Sequence, residues 1–252
     1  MNIRQIRNAT ITLNYGEKRF LIDPFLAKKG AYPPFPNTLN QDQFNPTVDL
    51  PIPVEEIIEA DVVIVTHLHP DHFDPAAIEV LPKHIRIIAQ SEKDAAVIRK
   101  EGFQNVDFLS NVPNIEGISI TRTNGKHGIG EIGEFMGEVS GVVFQHPDEK
   151  TLYIAGDTIW CSDVKDALNQ HNPEVIVVNG GAAQFLQGDA IIMNKEDIYQ
   201  THLEAPQSTI IVSHMEALNH CLLTRQELKA FIDEKGLSNS ILVPNDGESF
   251  SF

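Results

Sequence analysis

The stretch Thr66-His67-Leu68-His69-Pro70-Asp71-His72 limits the fold more than any other part of the chain. It follows Val62-Val63-Ile64-Val65, an unbroken apolar run that predicts a strand buried on both faces. Asp74-Pro75 then opens a helix, because proline fits the first helical turn and the preceding aspartate can cap it. Three imidazoles and a carboxylate thus leave one strand end between His67 and His72. Groups so crowded are costly to desolvate without a partner. Neutral imidazole and carboxylate oxygen suit zinc, manganese or iron.

Other predicted strands end in the same kinds of residue. Residues 118–123 lead to His127, residues 151–155 to Asp157, and residues 209–212 to His214. If these ends share one edge, seven side chains converge: His67, His69, Asp71, His72, His127, Asp157 and His214. Seven ligands exceed one tetrahedral shell and suit two divalent ions with a carboxylate between them and a water or hydroxide completing the shells.

The remaining pattern predicts a hairpin over 10–15 and 19–22, short helices at 54–59 and 75–80, and a strand at 85–89. A helix over 91–100 has Ser91 and Asp94 at its start and Gly102 at its end. Further strands are expected at 106–109, 142–145, 175–178 and 241–243, and helices at 163–170, 195–203 and 225–234. The order gives two halves of similar plan, and so an α/β chain with two facing mixed sheets and helices on the outer faces. Without a linker or repeat, residues 1–252 are read as a single domain. Residues 27–53 carry six prolines and little periodicity, which suits either a substrate wall or lid or a plain surface excursion. The glycine-rich residues 125–141 lack a G-x-G-x-x-G followed by a helix, so no dinucleotide loop is read there.

Composition excludes several function classes. A net charge of −16 disfavours nucleic acid and an anionic membrane surface, both of which need a basic footprint. No apolar run is long enough for a bilayer and no leader pattern opens the chain, so a cytoplasmic protein acting on a small molecule is expected, with a homo-oligomer left open. Cys161 and Cys221 are too far apart in sequence, and too few, to imply a disulfide framework.

The stretch at 66–72 resembles the H-x-H-x-D-H signature of the metallo-β-lactamase superfamily, and His127, Gly156-Asp157-Thr158 and Ser213-His214 follow in that family's order. Leu21-Ile22-Asp23-Pro24, residues 153–158 and His214-Met215-Glu216-Ala217 resemble the branch containing L-ascorbate-6-phosphate lactonase and related metal-dependent hydrolases. The resemblance implies an αββα sandwich. It implies one metal at His67, His69 and His127, and a second at Asp71, His72 and His214, bridged by Asp157. Zinc is the first choice of metal, with manganese or iron behind it. His69 stands where flavodiiron oxygen reductases of the superfamily have glutamate, which removes that role.

The expected activity is hydrolysis of a lactone or other ester in a small, phosphorylated or unphosphorylated substrate, with Asp71 or Asp157 holding the proton of a bridging hydroxide. The alternatives are a phosphodiesterase or phospholipase-D-like hydrolase on the same site, and a non-catalytic metal-binding sensor or assembly module. His220 follows His214 closely enough to reach substrate or protonate a leaving group, against a structural role. Asp23 is either a partner orienting a ligand histidine or a plain turn residue. Trp160 either lines the pocket or simply packs. His84 and His171 read as surface residues, His146 as a turn residue and His202 as a helix-end residue.

Overall fold

The structure, a computed structural model, describes residues 1–112 and 114–252. The chain opens with β1 (Asn2–Arg7), β2 (Thr10–Tyr15) and β3 (Lys18–Ile22), then crosses the long proline-rich segment to α1 (Val54–Ile57) and β4 (Val62–Val65). Alternation follows: α2 (Pro75–Val80), β5 (Arg86–Ala89), α3 (Glu92–Lys100) and β6 (Asn105–Phe108). The second half has β7 (Asn114–Ile115), β8 (Ile118–Asn124), α4 (Gly130–Met136), β9 (Ser140–His146) and β10 (Glu149–Ile154). It then alternates through α5 (Ser162–His171), β11 (Val175–Asn179), α6 (Lys195–Glu204), β12 (Thr209–Ser213), α7 (Arg225–Glu234) and β13 (Ile241–Leu242), and ends at β14 (Ser249–Ser251).

Two seven-stranded mixed sheets result, in the orders β14-β1-β2-β3-β4-β5-β6 and β13-β12-β11-β10-β9-β8-β7. In each, an antiparallel half adjoins a parallel half: β3 to β6 run parallel in the first, and β10 to β13 in the second. The period-2 alternation of side chains decides the layers. Val62 and Ile64 of β4 face the second sheet, where they meet Val177 and Leu152 in one buried cluster. Val63 and Val65 face outward, onto Ile57, Ala77, Ala95 and Ile98 of α1 to α3. On the other side Ile176 and Val178 pack on Val164, Leu168, Ile198, Leu228 and Ile232 of α5 to α7. The layers are therefore αββα, as expected. Tyr15 ties the sheets together: its hydroxyl lies 2.9 Å from Lys150 O and 3.1 Å from Phe144 O.

Three strands and one helix escape the sequence pattern. β1 carries a bulge between Gln5 and Arg7, which breaks the alternation that would have marked it. β7 and β14 are too short to show a period. Helix α4 contains Gly130 and Gly133 and buries none of its residues fully, so its propensity is low and its short apolar face of Ile132, Phe135 and Met136 gives little periodic signal.

The proline-rich segment is firmly anchored. The buried Arg7 guanidinium donates to Phe25 O and Ala27 O at one end and Val48 O at the other. Burial pulls Arg7 down to about 10, which leaves it charged at neutral pH. Asn219 holds the middle. Its Oδ1 accepts from Phe35 N and Asn45 Nδ2, and its Nδ2 donates to Thr38 Oγ1 and Leu39 O.

The inter-sheet core predicts a large effect at Phe144, fully buried and edge-on to Phe20 at 5.2 Å between ring centroids. Phe144→Ala should destabilise the chain by about 3–5 kcal/mol, read as a lower denaturant midpoint with an unchanged slope.

Candidate metal centre

All the converging side chains follow strands of one sense. β1, β3 and β4 run together in the first sheet, as do β8, β10, β11 and β12 in the second. Asn8 follows β1, Asp23 follows β3, and His67 to His72 follow β4. His127 follows β8, Asp157 follows β10, Asn179 ends β11, and His214 follows β12. Open α/β sheets present ligands at such carboxyl edges.

The seven predicted side chains fall into two groups whose ligand atoms lie within 4.8 Å of one another. His67, His69 and His127 form one, and Asp71, His72, Asp157 and His214 the other. Asp157 sits between them. Its Oδ2 is 3.1 Å from His72 Nε2, 3.4 Å from His127 Nε2 and 3.8 Å from His67 Nε2. Its Oδ1 is 3.7 Å from His214 Nε2 and accepts from Asn179 Nδ2 at 2.6 Å. Asp71 Oδ2 lies 3.1 Å from His214 Nε2 and 3.2 Å from Asn8 Nδ2.

The partners of the far ring nitrogens settle which nitrogens face the centre. His127 Nδ1 lies 2.8 Å from the Ile191 carbonyl, which only accepts, so Nδ1 carries the proton. His72 Nδ1 lies 2.9 Å from Asp23 Oδ2. Thr66 Oγ1 donates to the same Asp23 oxygen at 2.7 Å and sits 3.2 Å from His67 Nδ1, which donates to it. Asp23 Oδ1 also accepts from Thr66 N. The lone pairs of His67 and His127 at Nε2 are thereby turned toward the Asp157 carboxylate, and His72 Nε2 faces the same oxygen. Among the described residues, His67 Nε2 and both ring nitrogens of His72 are buried without a hydrogen-bond partner, the Asp23 contact at His72 Nδ1 being a close charge pairing and not an aligned hydrogen bond. Bare nitrogen and oxygen acceptors facing one another are repulsive unless a cation or proton lies among them. The donor set therefore fits divalent metal, and the partner that orients each imidazole is of the usual kind.

Electrostatics agree. Burial lowers His67 and His127, as it must for imidazoles taken out of water. At His72 burial also pulls downward, but Asp157, Asp23 and Asp71 outweigh it and lift the ring to about 10. Burial likewise opposes the shift at His214, which Asp157 and Asp71 raise well above the ordinary value. Burial would raise both carboxylates, yet His72 and His214 hold Asp71 and Asp157 far below the usual range.

The backbone is bent to build this edge. Asn8, Asp23, Ala182, His214 and Glu216 all take positive φ between 46° and 59°. Such left-handed residues cost roughly 1–2 kcal/mol each outside glycine, and the surrounding hydrogen bonds must hold them there. At Gly181 a Cβ would stand 2.1 Å from His214 O, so only glycine lets this loop pass His214.

A pocket of about 330 Å³ opens onto His69, Asp71, His127, Asp157 and His214. Its walls are Phe35, Pro36, Phe135, Met136, Phe185 and Ile191, with His220 among them. His220 is buried edge-on to Phe35, its Nδ1 has no partner among the described residues, and burial pulls it to about 4. Phe35 and Pro36 place one end of the proline-rich segment on the wall. Trp160 packs instead against the core beneath α5 to α7. Glu216 is paired with Arg225, and His146 accepts from Asp148 N in its turn. His202 lies in the last turn of α6, as expected, and is buried there. Sequence reasoning passed over Asn8 and Asn179. Asn179 had the same signature as the ligands, a polar residue closing an apolar strand; Asn8 follows the bulged β1 and had none.

Comparison with known proteins agrees with this geometry. A family model for the Beta-lactamase superfamily domain matches residues 18–215. The UPF0173 protein YddR of Bacillus subtilis (strain 168) is 54% identical over the full length of both chains. The chain thus belongs to the β-lactamase superfamily and, within it, to the UPF0173 family, other members of which are described as metal-dependent hydrolases. Among solved structures, isothiocyanate hydrolase from Delia radicum gut bacteria matches with a TM-score of 0.96 and 45% identity, covering 100% of this chain and 99% of that one. A possible metal-dependent hydrolase from Veillonella parvula DSM 2008 matches with a TM-score of 0.97 and 37% identity over the same shares. The fold and the hydrolase class are those of this family. Among the described residues, no helix is long and apolar enough to cross a membrane.

Two outcomes follow for metal binding. Asp23→Asn should weaken affinity roughly 10–100-fold by loosening His72 and Thr66 together, measured by titration calorimetry. Protons compete with metal for His72 and His214, whose pKa values are raised, so affinity should climb as pH rises from 6 to 9 in a chelator-competition assay. A flat profile would contradict the assignment.

Proposed function

We propose that the chain is a metal-dependent hydrolase for small, uncharged, largely apolar electrophiles, with an isothiocyanate head group as first candidate. The observation that carries this reading is the pocket over the ligands. Its walls are aromatic and aliphatic, and among the described residues lining it there is neither lysine nor arginine. A phosphorylated substrate calls for such a cation, because phosphate is recognised through charge-assisted hydrogen bonds. That weighs against the phosphorylated sugar acid and the phosphodiester expected from sequence. A relative 45% identical over the whole chain is an isothiocyanate hydrolase, which points to the head group.

On this reading His67, His69 and His127 would hold one divalent ion and Asp71, His72 and His214 a second, with Asp157 available to both. Zinc suits the nitrogen and oxygen donors, with manganese or iron as alternatives. Such ions, when bound, bring the pKa of water from about 15.7 to about 7 and supply hydroxide at neutral pH. The protein's own part is to fix and enclose. Asn179 and Asn8 hold the two carboxylates, and Asp23 aims His67 and His72. Asp71 or Asp157 would hold the proton of the attacking water. Phe35 and Phe185 shield the pocket. His220, neutral at pH 7, offers the uncharged head a hydrogen bond and is a poor source of a proton for the leaving group. The balance is one water per R–N=C=S, releasing R–NH₂ and carbonyl sulfide without an oxidant. A lactone or simple ester would use the same residues. The open pocket beside five of the ligand residues favours an enzyme over a closed metal-binding module.

The test is a panel of phenethyl isothiocyanate, a γ-lactone and bis(p-nitrophenyl) phosphate with the zinc- and manganese-loaded protein. Turnover of the first, lost on chelation and restored by metal, is expected. Turnover of the phosphodiester alone would sink the proposal. Asp157→Ala should abolish metal binding and activity together, and activity surviving in metal-free Asp157→Ala would rule the mechanism out.

A further inference from the structure

The pocket over the ligands does not end at its aromatic rim. Phe135 and Phe185 line it on one side and line a second, open cleft of about 740 Å³ on the other. Ile129, Ile132 and Leu186 complete the apolar surface of that cleft, and Glu131 is its one charged residue among those described. Three of these side chains are far more exposed than large apolar groups usually are: Phe135 at 79%, Leu186 at 61% and Ile129 at 57%. An exposed apolar surface of this kind, continuous with a binding pocket, needs an occupant.

The two walls are built differently. The Leu186 wall is fixed, since Leu186 N donates to Asn37 O and Gln184 N to His220 O. The opposite wall is α4, which buries none of its residues and is bracketed by Gly128, Gly130 and Gly137, all at positive φ. Ile132 and Met136 of α4 pack against the buried Ala183, Ile191 and Ile192, but Phe135 and the preceding Ile129 are exposed, and core packing does not require them. A role in contact with something outside the core does. The volume over the metal ligands suits a small head group, and the cleft begins where that volume ends.

We infer that the cleft between α4 and residues 185–188 is a subsite for an uncharged apolar tail of the substrate, a chain or ring lying on Phe135, Ile129 and Leu186 while the reactive head sits at the metal ligands. The inference rests on the reading that a small apolar electrophile is hydrolysed at that site, and it extends the substrate class to molecules with a tail. Phe135 and Phe185 form the gate between head and tail. The absence of a cation among the described lining residues selects against acidic tails, and Glu131 selects further against them.

The experiment measures binding separately from turnover. N-alkylureas from methyl to octyl, uncharged and unreactive, are titrated calorimetrically into the metal-loaded protein, and n-alkyl isothiocyanates of the same lengths are assayed for kcat/KM. Affinity should rise roughly four-fold for each methylene that reaches the cleft. The slope should flatten in Ile129→Ser/Leu186→Ser, whose replaced side chains are exposed, with melting temperature as the control for folding. A chain-length dependence with no isothiocyanate turnover would support the subsite and overturn the catalytic reading. Turnover with no chain-length dependence would overturn the subsite alone. An unflattened slope in the double variant would overturn it too. So would a double variant that converts a dimer to a monomer in size-exclusion chromatography with the slope intact, because the cleft would then be a contact between two copies.

Discussion

The structure depends on one electrostatic constraint: a buried carboxylate, Asp157, faces the Nε2 atoms of His67, His72, His127 and His214. Such an arrangement is unstable in a dry interior unless positive charge lies among the acceptors. Everything nearby serves to keep those acceptors facing inward. The backbone carbonyl of Ile191 takes the outer proton of His127, Asp23 holds that of His67 through Thr66, and the same Asp23 oxygen lies 2.9 Å from His72 Nδ1. Asp23 thereby reaches one histidine from each of the two ligand groups. It acts as a common brace rather than as one residue's partner.

The sandwich exists in this form because it delivers that constraint. Each sheet joins an antiparallel half to a parallel half, and strands of one sense end at a single edge. A polar residue there can be placed by a core strand on one side and held by a neighbouring loop on the other. The positive-φ residues Asn8, Asp23 and His214 are the bends by which strands turn into the site. Their strain is tolerated because each is tied by several hydrogen bonds. Asn8, for example, accepts from His214 N and Ser213 Oγ while donating to Asp71.

Loops around this edge divide into fixed and loosely held parts. Arg7 and Asn219 clamp the proline-rich segment, so Phe35 is a standing wall of the pocket and not a free flap. Helix α4 is the opposite case, an element that touches the core only through the half-buried Ile132 and Met136 and leaves Phe135 exposed. Phe35 and His220 line the candidate metal pocket from the clamped side, and Phe135 of α4 lines both that pocket and the apolar cleft. That division is consistent with a rigid reacting centre beside a more adaptable binding surface.

Much of this was written in the sequence. The apolar run before His67 is a strand because four β-branched residues in a row can only be buried. The spacing of His67, His69, Asp71 and His72 puts four ligand-type side chains in one turn. The capped helices were legible from Ser91, Asn194 and Thr224, and the outward and inward faces of the strands from their alternation. Local rules sufficed there because each signal lies within a few residues. The tertiary structure alone decided the rest. It chose which strand ends share an edge, divided the ligands into two groups around Asp157, and brought Asn8 and Asn179 to the carboxylates. It also set Phe35, Phe135 and Phe185, each from a different loop or helix, around one pocket. Those relations join residues 20 to 200 positions apart. No local periodicity encodes them, because they are fixed only when two sheets bury their faces against each other.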